Sequence, residues 1–128
     1  MSSGFRSPLA RARGLGTAKE GVAHWWAQRV TAIALVPLTL WFVVSVISLA
    51  GADRAAFAAW AAQPLPAVLL VLLIVATFHH AQLGLQVVIE DYVHAEGVKL
   101  AAILLVKGLS VLLGAAAVLA VLHLALKG

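Results

Sequence analysis

Three long apolar runs dominate the chain: Val30 to Ala50, Pro66 to Ile89 and Gly108 to Leu126, of 21, 24 and 19 residues. A bilayer core about 30 Å thick needs roughly 20 apolar residues at about 1.5 Å of rise each, and every run meets that length. Hydrocarbon offers the backbone no hydrogen-bond partners, so an unclosed span has only the helix available. The runs are continuous rather than alternating, which argues against barrel strands. The expected fold is an all-α membrane protein with three transmembrane helices. The spans fall at about 26–50, 66–90 and 100–126, after an arm over 1–24. Composition closes the soluble alternative: 63% of the 128 residues are hydrophobic and 11% charged. A soluble domain this small has too little interior to hide such a surplus. The net charge of +4 is spread over greasy segments and forms no phosphate-tracking patch, which excludes nucleic acid and leaves the lipid bilayer as the medium. With no cysteine, disulfides, thiolate metal sites and iron–sulfur ligation by this chain are excluded.

The few charges orient the spans. Arg6, Arg11, Arg13 and Lys19 lie in the arm, and Arg29 begins the first span. The first joint, residues 51–66, holds Arg54. The second, residues 90–99, holds Lys99 with Lys107 just beyond, and Lys127 ends the chain. Arm plus second joint outweighs first joint plus C-terminus, so the N-terminus is expected inside and the C-terminus outside. Trp25 and Trp26 then sit at the inner interface and Trp60 near the outer one, as belt residues do. The first long apolar run starts too late for a signal peptide, so the arm reads as a cytoplasmic extension. Pro37 frees the Ile33 carbonyl and is expected to kink the first helix. The third helical pattern is longer than its span. Its turns from Lys99 to Val106 either project toward a soluble partner or belong to a tilted helix, with Lys107 snorkelling to the headgroups.

Chemistry concentrates in the second span. A histidine inside a membrane span is costly and marks a functional site by default. At about 100° per residue, His80, Gly84, Val87 and Asp91 fall within about 40° of His80 and form one stripe. An imidazole beside a glycine gives iron a nitrogen ligand and a flat macrocycle its room. A hydrogen bond to a neighbouring helix is the plainer use of such a histidine. His79 points about 100° away. His24 and His123 lie at other depths, so a haem held by two histidines needs its second ligand from another subunit. About 16 Å further along the helix, Asp91 and Tyr92 place an acid beside a phenol at the inner surface. Such a pair can hydrogen-bond a quinone carbonyl and feed protons to it, or simply end a helix at the interface. Arg29, on the same side, can orient Tyr92, pair with Asp91, meet a haem propionate, or act as a plain interface anchor. Lys107 and His94 are weaker candidates of the same kind.

Two blocks resemble a known family. Gly16-Thr-Ala-Lys-Glu-Gly21, followed by His24-Trp-Trp-Ala-Gln-Arg29-Val-Thr-Ala-Ile-Ala-Leu-Val-Pro37, resembles the start of the hydrophobic membrane anchor of succinate dehydrogenase, complex II, in its alphaproteobacterial form. His80-Ala-Gln-Leu-Gly84-Leu-Gln86-Val87, continuing to Asp91-Tyr92, resembles the haem and quinone segment of that anchor. The resemblance implies a heterodimeric bundle with a second membrane anchor subunit. Together the two would hold an iron–sulfur subunit and a flavoprotein subunit against the inner (cytoplasmic) membrane of a bacterium. It implies a haem b shared between the two anchors, with His80 as this chain's axial iron ligand and Gly84 and Arg29 beside the cofactor. It also implies a ubiquinone site to which Asp91, Tyr92 and Arg29 contribute. His79 is an additional histidine next to the matched one.

A different class is a small self-associating helical transporter or pore. Such chains place an acid deep in a span, whereas Glu20, Asp53, Glu90, Asp91 and Glu96 all lie at joints or interfaces. A third possibility is an anchor of the same complex that carries no haem.

Overall fold

A computed structural model describes Pro8 and residues 17–127, with side chains in that stretch from Gly21 onward. Most of the arm expected over 1–24 therefore lies outside the described residues. The described residues form four helices and no strand: α1 Thr17–Ser48, α2 Arg54–Ala62, α3 Pro64–Tyr92 and α4 Glu96–Lys127. The helices α1, α3 and α4 are each long and apolar enough to cross a membrane.

The first helix begins at Thr17, ahead of the apolar run. Its polar opening turns are helical because residues 17–29 contain no glycine or proline other than Gly21 and continue directly into the apolar segment. Pro37 sits inside α1 without ending it. The proline ring costs one backbone bond, a loss that membrane helices accommodate by local adjustment and neighbouring helices rather than by solvent.

The short helix α2 breaks what the sequence presented as a plain joint. Its start is specified locally: Gly51 adopts φ +84°, which glycine does at no steric cost. Asp53 then caps α2 by accepting a 2.8 Å hydrogen bond from the Ala56 N–H. Gln63 closes α2 with its N–H on the Trp60 carbonyl and leads into α3, whose first residue is Pro64. Proline suits that position, where no intrahelical N–H bond is lost.

The packing has a simple order. Both α1 and α4 lie against α3, and α2 tucks against α3 and α4. At the α2 end, Ala61, Ala67, Leu70 and Val121 form a small buried core, flanked by Trp41, Phe42 and Trp60. Small residues let the backbones approach there. Trp60 also packs within the bundle. It is half-buried and stacked on Trp41, with ring centroids 5.8 Å apart. Trp25 and Trp26, by contrast, are both exposed and meet edge to face at 5.1 Å. Further along the α3–α4 seam, Gly114 accepts the Phe78 ring; a methyl group there would meet it at 3.5 Å.

Little else is buried. Apolar side chains such as Ile33, Val44 and Ile47 on α1 and Leu104, Val111 and Leu112 on α4 are largely exposed. In water that surface would not persist. In a membrane it is ordinary where it meets lipid, and it is equally suited to a further helical partner.

Candidate functional site

The site grows from the seam between α1 and α3. In α1, His24, Gln28 and Thr31 follow one another at spacings of four and three residues, the helical neighbour spacing. In α3, His80 and Gly84 form the facing stripe. Thr31 Oγ1 and His80 Nδ1 are 2.9 Å apart, which joins the two helices by a side-chain hydrogen bond. The same Thr31 hydroxyl lies 2.7 Å from the Ala27 carbonyl and 3.1 Å from that of Gln28. His80 is half-buried, and with Nδ1 engaged its Nε2 is the ring nitrogen left for another partner.

One turn on, Gly84 is half-buried, and a Cβ added there would meet Gln28 Nε2 at 3.6 Å. The bare glycine thus brings the amide of Gln28 against α3, so the room beside His80 is shared with Gln28. Two polar side-chain atoms in this region are buried without a partner, His24 Nε2 and Gln28 Oε1. They belong to residues one helical turn apart and have complementary chemistry, which suits a bridging water.

His79 faces elsewhere, as its angle on the helix requires. It is exposed and lines a cleft of about 320 Å³ with Phe78, Gln82, Ser110 and Gly114. It also borders a cleft of about 240 Å³ with Thr31, Ala34 and Ala76. Among the described residues no three His, Cys, Asp or Glu side chains converge on a common point.

Asp91 and Tyr92 end α3 and are exposed; Tyr92 is 78% accessible. The neighbouring acids are occupied. Glu90 accepts a 3.0 Å hydrogen bond from Gln86 Nε2, and Glu96 pairs with Lys99 at 3.4 Å. Among the described residues Arg29 forms no ion pair with Asp91. Its guanidinium lies over the Trp25 ring, 5.3 Å from the centroid. His94, in the turn after α3, is exposed, as is Lys107 on α4. His123 lies at the α2 end, lining a cleft with Arg54 and Lys127.

Sequence reasoning missed Thr31 and Gln28. The signal was present: in α1, polar residues at 24, 28 and 31 fall on one stripe.

Comparison with known proteins gives one consistent result. Residues 4–122 match the family model described as succinate dehydrogenase/fumarate reductase transmembrane subunit. The chain is 33% identical over 123 residues to the succinate dehydrogenase hydrophobic membrane anchor subunit of Rickettsia bellii, covering 96% of this chain and 98% of that one. It is 34% identical over 88 residues to the protein of the same name from Paracoccus denitrificans, covering 69% and 68%. A succinate dehydrogenase membrane anchor subunit of Reclinomonas americana is 28% identical over 96 residues, covering 73% and 80%. Three apolar helices fit for a membrane, and a match running nearly end to end, establish that the chain belongs to the succinate dehydrogenase/fumarate reductase transmembrane subunits, as a multi-pass hydrophobic membrane anchor.

Proposed function

We propose that the chain, with a second membrane anchor, holds an iron–sulfur subunit and a flavoprotein subunit at the inner (cytoplasmic) membrane. In this reading the two anchors share a haem b through His80, and Asp91, Tyr92 and Arg29 form this chain's part of a ubiquinone site. The observation that carries the reading is His80 itself. It is a mid-helix histidine with Nδ1 tied to Thr31, which leaves Nε2 for a partner, and no three His, Cys, Asp or Glu side chains cluster among the described residues. That donor set fits half of a two-histidine haem site and leaves the other half to a partner. Haem bound there would supply a one-electron store beside the quinone.

The chain's own residues would act as follows. His80 Nε2 would hold the iron, with Gly84 and Arg29 at the cofactor's border. The Tyr92 hydroxyl, at the open end of α3, would donate a hydrogen bond to a quinone carbonyl. Asp91 would orient that contact and exchange protons with the inner aqueous phase. Arg29, lying over Trp25 in this chain, would supply positive charge to propionate or quinone oxygen. The positive arm and second joint put this end of the helices inside and the C-terminus on the periplasmic side.

Purification of the tagged chain from its native membranes tests the reading. Co-purification of a flavoprotein, an iron–sulfur protein and a second small anchor, with a b-type reduced-minus-oxidised spectrum, is expected. A tagged chain recovered only as a homo-oligomer without b-type absorbance would favour a transporter or pore instead.

Gly84 offers a sharper check on where the cofactor lies. A methyl group there makes only an ordinary contact with Gln28, and alanine gains roughly 1 kcal/mol in helix propensity. Gly84→Ala is therefore expected to assemble normally while lowering haem content per flavin. Unchanged haem would restrict Gly84 to helix packing.

A further inference from the structure

Building on the reading of His80 as a haem ligand, we infer that Thr31 is the positioning residue that fixes the imidazole tautomer, so that Nε2 carries the lone pair for iron. The Thr31 hydroxyl has one proton and three neighbours: the Ala27 carbonyl at 2.7 Å, the Gln28 carbonyl at 3.1 Å and His80 Nδ1 at 2.9 Å. Carbonyl oxygens only accept. If the hydroxyl proton pointed at Nδ1, Thr31 Oγ1 would face a carbonyl oxygen at 2.7 Å with no hydrogen between them. If it points at Ala27, Oγ1 is left with lone pairs, and Nδ1 must bring the proton. One arrangement satisfies both close contacts: His80 Nδ1–H donates to Thr31 Oγ1, and Thr31 O–H donates to the Ala27 carbonyl.

Two consequences follow. A neutral imidazole protonated at Nδ1 has its lone pair at Nε2, so the nitrogen turned away from Thr31 is the one that can bind a metal. The relay also ends on an α1 backbone carbonyl, and a chain of hydrogen bonds polarises its members in the same direction. It makes the imidazole a stronger donor to iron, as ligand–acceptor contacts behind metal-bound histidines do. The 2.7 Å bond of the Thr31 hydroxyl to the Ala27 carbonyl selects one of the two χ1 rotamers open to a helical threonine, which limits wandering of the acceptor. Thr31 touches neither iron nor quinone in this assignment.

The test uses the assembled complex carrying Thr31→Val, Thr31→Ala or Thr31→Ser. Haem-to-flavin ratio, haem midpoint potential and the low-spin ferric EPR signal are measured, with His80→Ala as reference. Thr31→Val preserves shape and removes the acceptor, and Thr31→Ala removes it without any risk of a clash. Both are expected to weaken haem retention by about 10- to 100-fold, the usual effect of removing such a partner, and to raise the midpoint potential of the haem that remains. Thr31→Ser keeps the hydroxyl and is expected to restore the parental potential and EPR signal, which a purely steric role for Thr31 would not predict. Parental potential and haem content in both Val and Ala variants, with haem lost in His80→Ala, would overturn the Thr31 assignment and leave the ligand reading intact. Parental haem in His80→Ala would overturn the ligand reading itself, and the Thr31 assignment with it.

Discussion

Replacing His80 with alanine is expected to remove the two-histidine b-type spectrum from a complex that still assembles. Loss of a supporting hydrogen bond behind a metal ligand costs about 10- to 100-fold in affinity, and loss of the ligand itself should exceed that range. The fold should survive. His80 is only half-buried, and its side-chain hydrogen bond is to a threonine hydroxyl that keeps its bond to the Ala27 carbonyl when the imidazole is gone. The seam between α1 and α3 also keeps the packing of Gln28 on Gly84. Succinate oxidation by artificial acceptors should therefore persist. The adjacent histidine is the necessary control. His79 is exposed on a different face, so His79→Ala is expected to leave the spectrum unchanged. Loss of the spectrum in His79→Ala and its survival in His80→Ala would move the ligand by one residue and about 100° around α3. Added imidazole should partly restore the spectrum of His80→Ala by entering the space left behind.

The three spans were legible because the constraint that sets them is one-dimensional: run length against bilayer thickness. Their ends were less so. Thr17 as the start of α1 rests on polar residues that are merely permissive for helix, with no apolar periodicity to announce them. The helix α2 was hidden for a different reason. Its nine residues, Arg54–Ala62, are mostly alanine, and in a short segment alanine reads equally as joint or helix. Gly51 and the Asp53 cap set its start locally, but its packing is tertiary: Ala61 is 1% exposed against the core at that end, and Trp60 stacks on Trp41 from another helix. The stripe from His80 to Asp91 could be drawn from helical angles alone, because it lies within one element. Its partner could not. Which turn of α1 meets His80 depends on how two smooth helices register, and that is settled by small contacts such as Gln28 at Gly84 and Thr31 at His80. Gly84 shows the limit most clearly, since a missing side chain can admit a cofactor or a neighbouring helix, and only packing tells which atom arrives. Arg29 shows it too: its sequence position allowed three partners, and within this chain it takes a fourth, the Trp25 ring.

Tyr92→Phe is expected to lower succinate–quinone turnover by about 100-fold while leaving succinate oxidation by artificial acceptors, haem content and thermal stability near parental values. The selectivity follows from where the residue stands. Tyr92 is 78% accessible at the end of α3, so its ring contributes little to the fold, and phenylalanine keeps what it does contribute. What changes is one hydroxyl. A positioned proton donor is worth about 10²- to 10⁴-fold in a proton-coupled step, and the lower end applies where a neighbouring carboxylate and water can partly substitute. Asp91→Asn should act in the same assay and in the same direction, because it removes the acid that would return protons to the donor while keeping side-chain size. Glu90→Gln is the comparison that isolates position from charge. Glu90 sits beside Asp91 but is held by Gln86 at 3.0 Å, so neutralising it should leave quinone turnover within about twofold of parental if the effect is local to Asp91 and Tyr92 rather than a general loss of negative charge. Equal loss in the quinone and artificial-acceptor assays would assign Tyr92 to docking of the soluble subunits. Full quinone turnover in Tyr92→Phe would remove the phenol from the proton path and leave the quinone contact to residues contributed by the partner subunits.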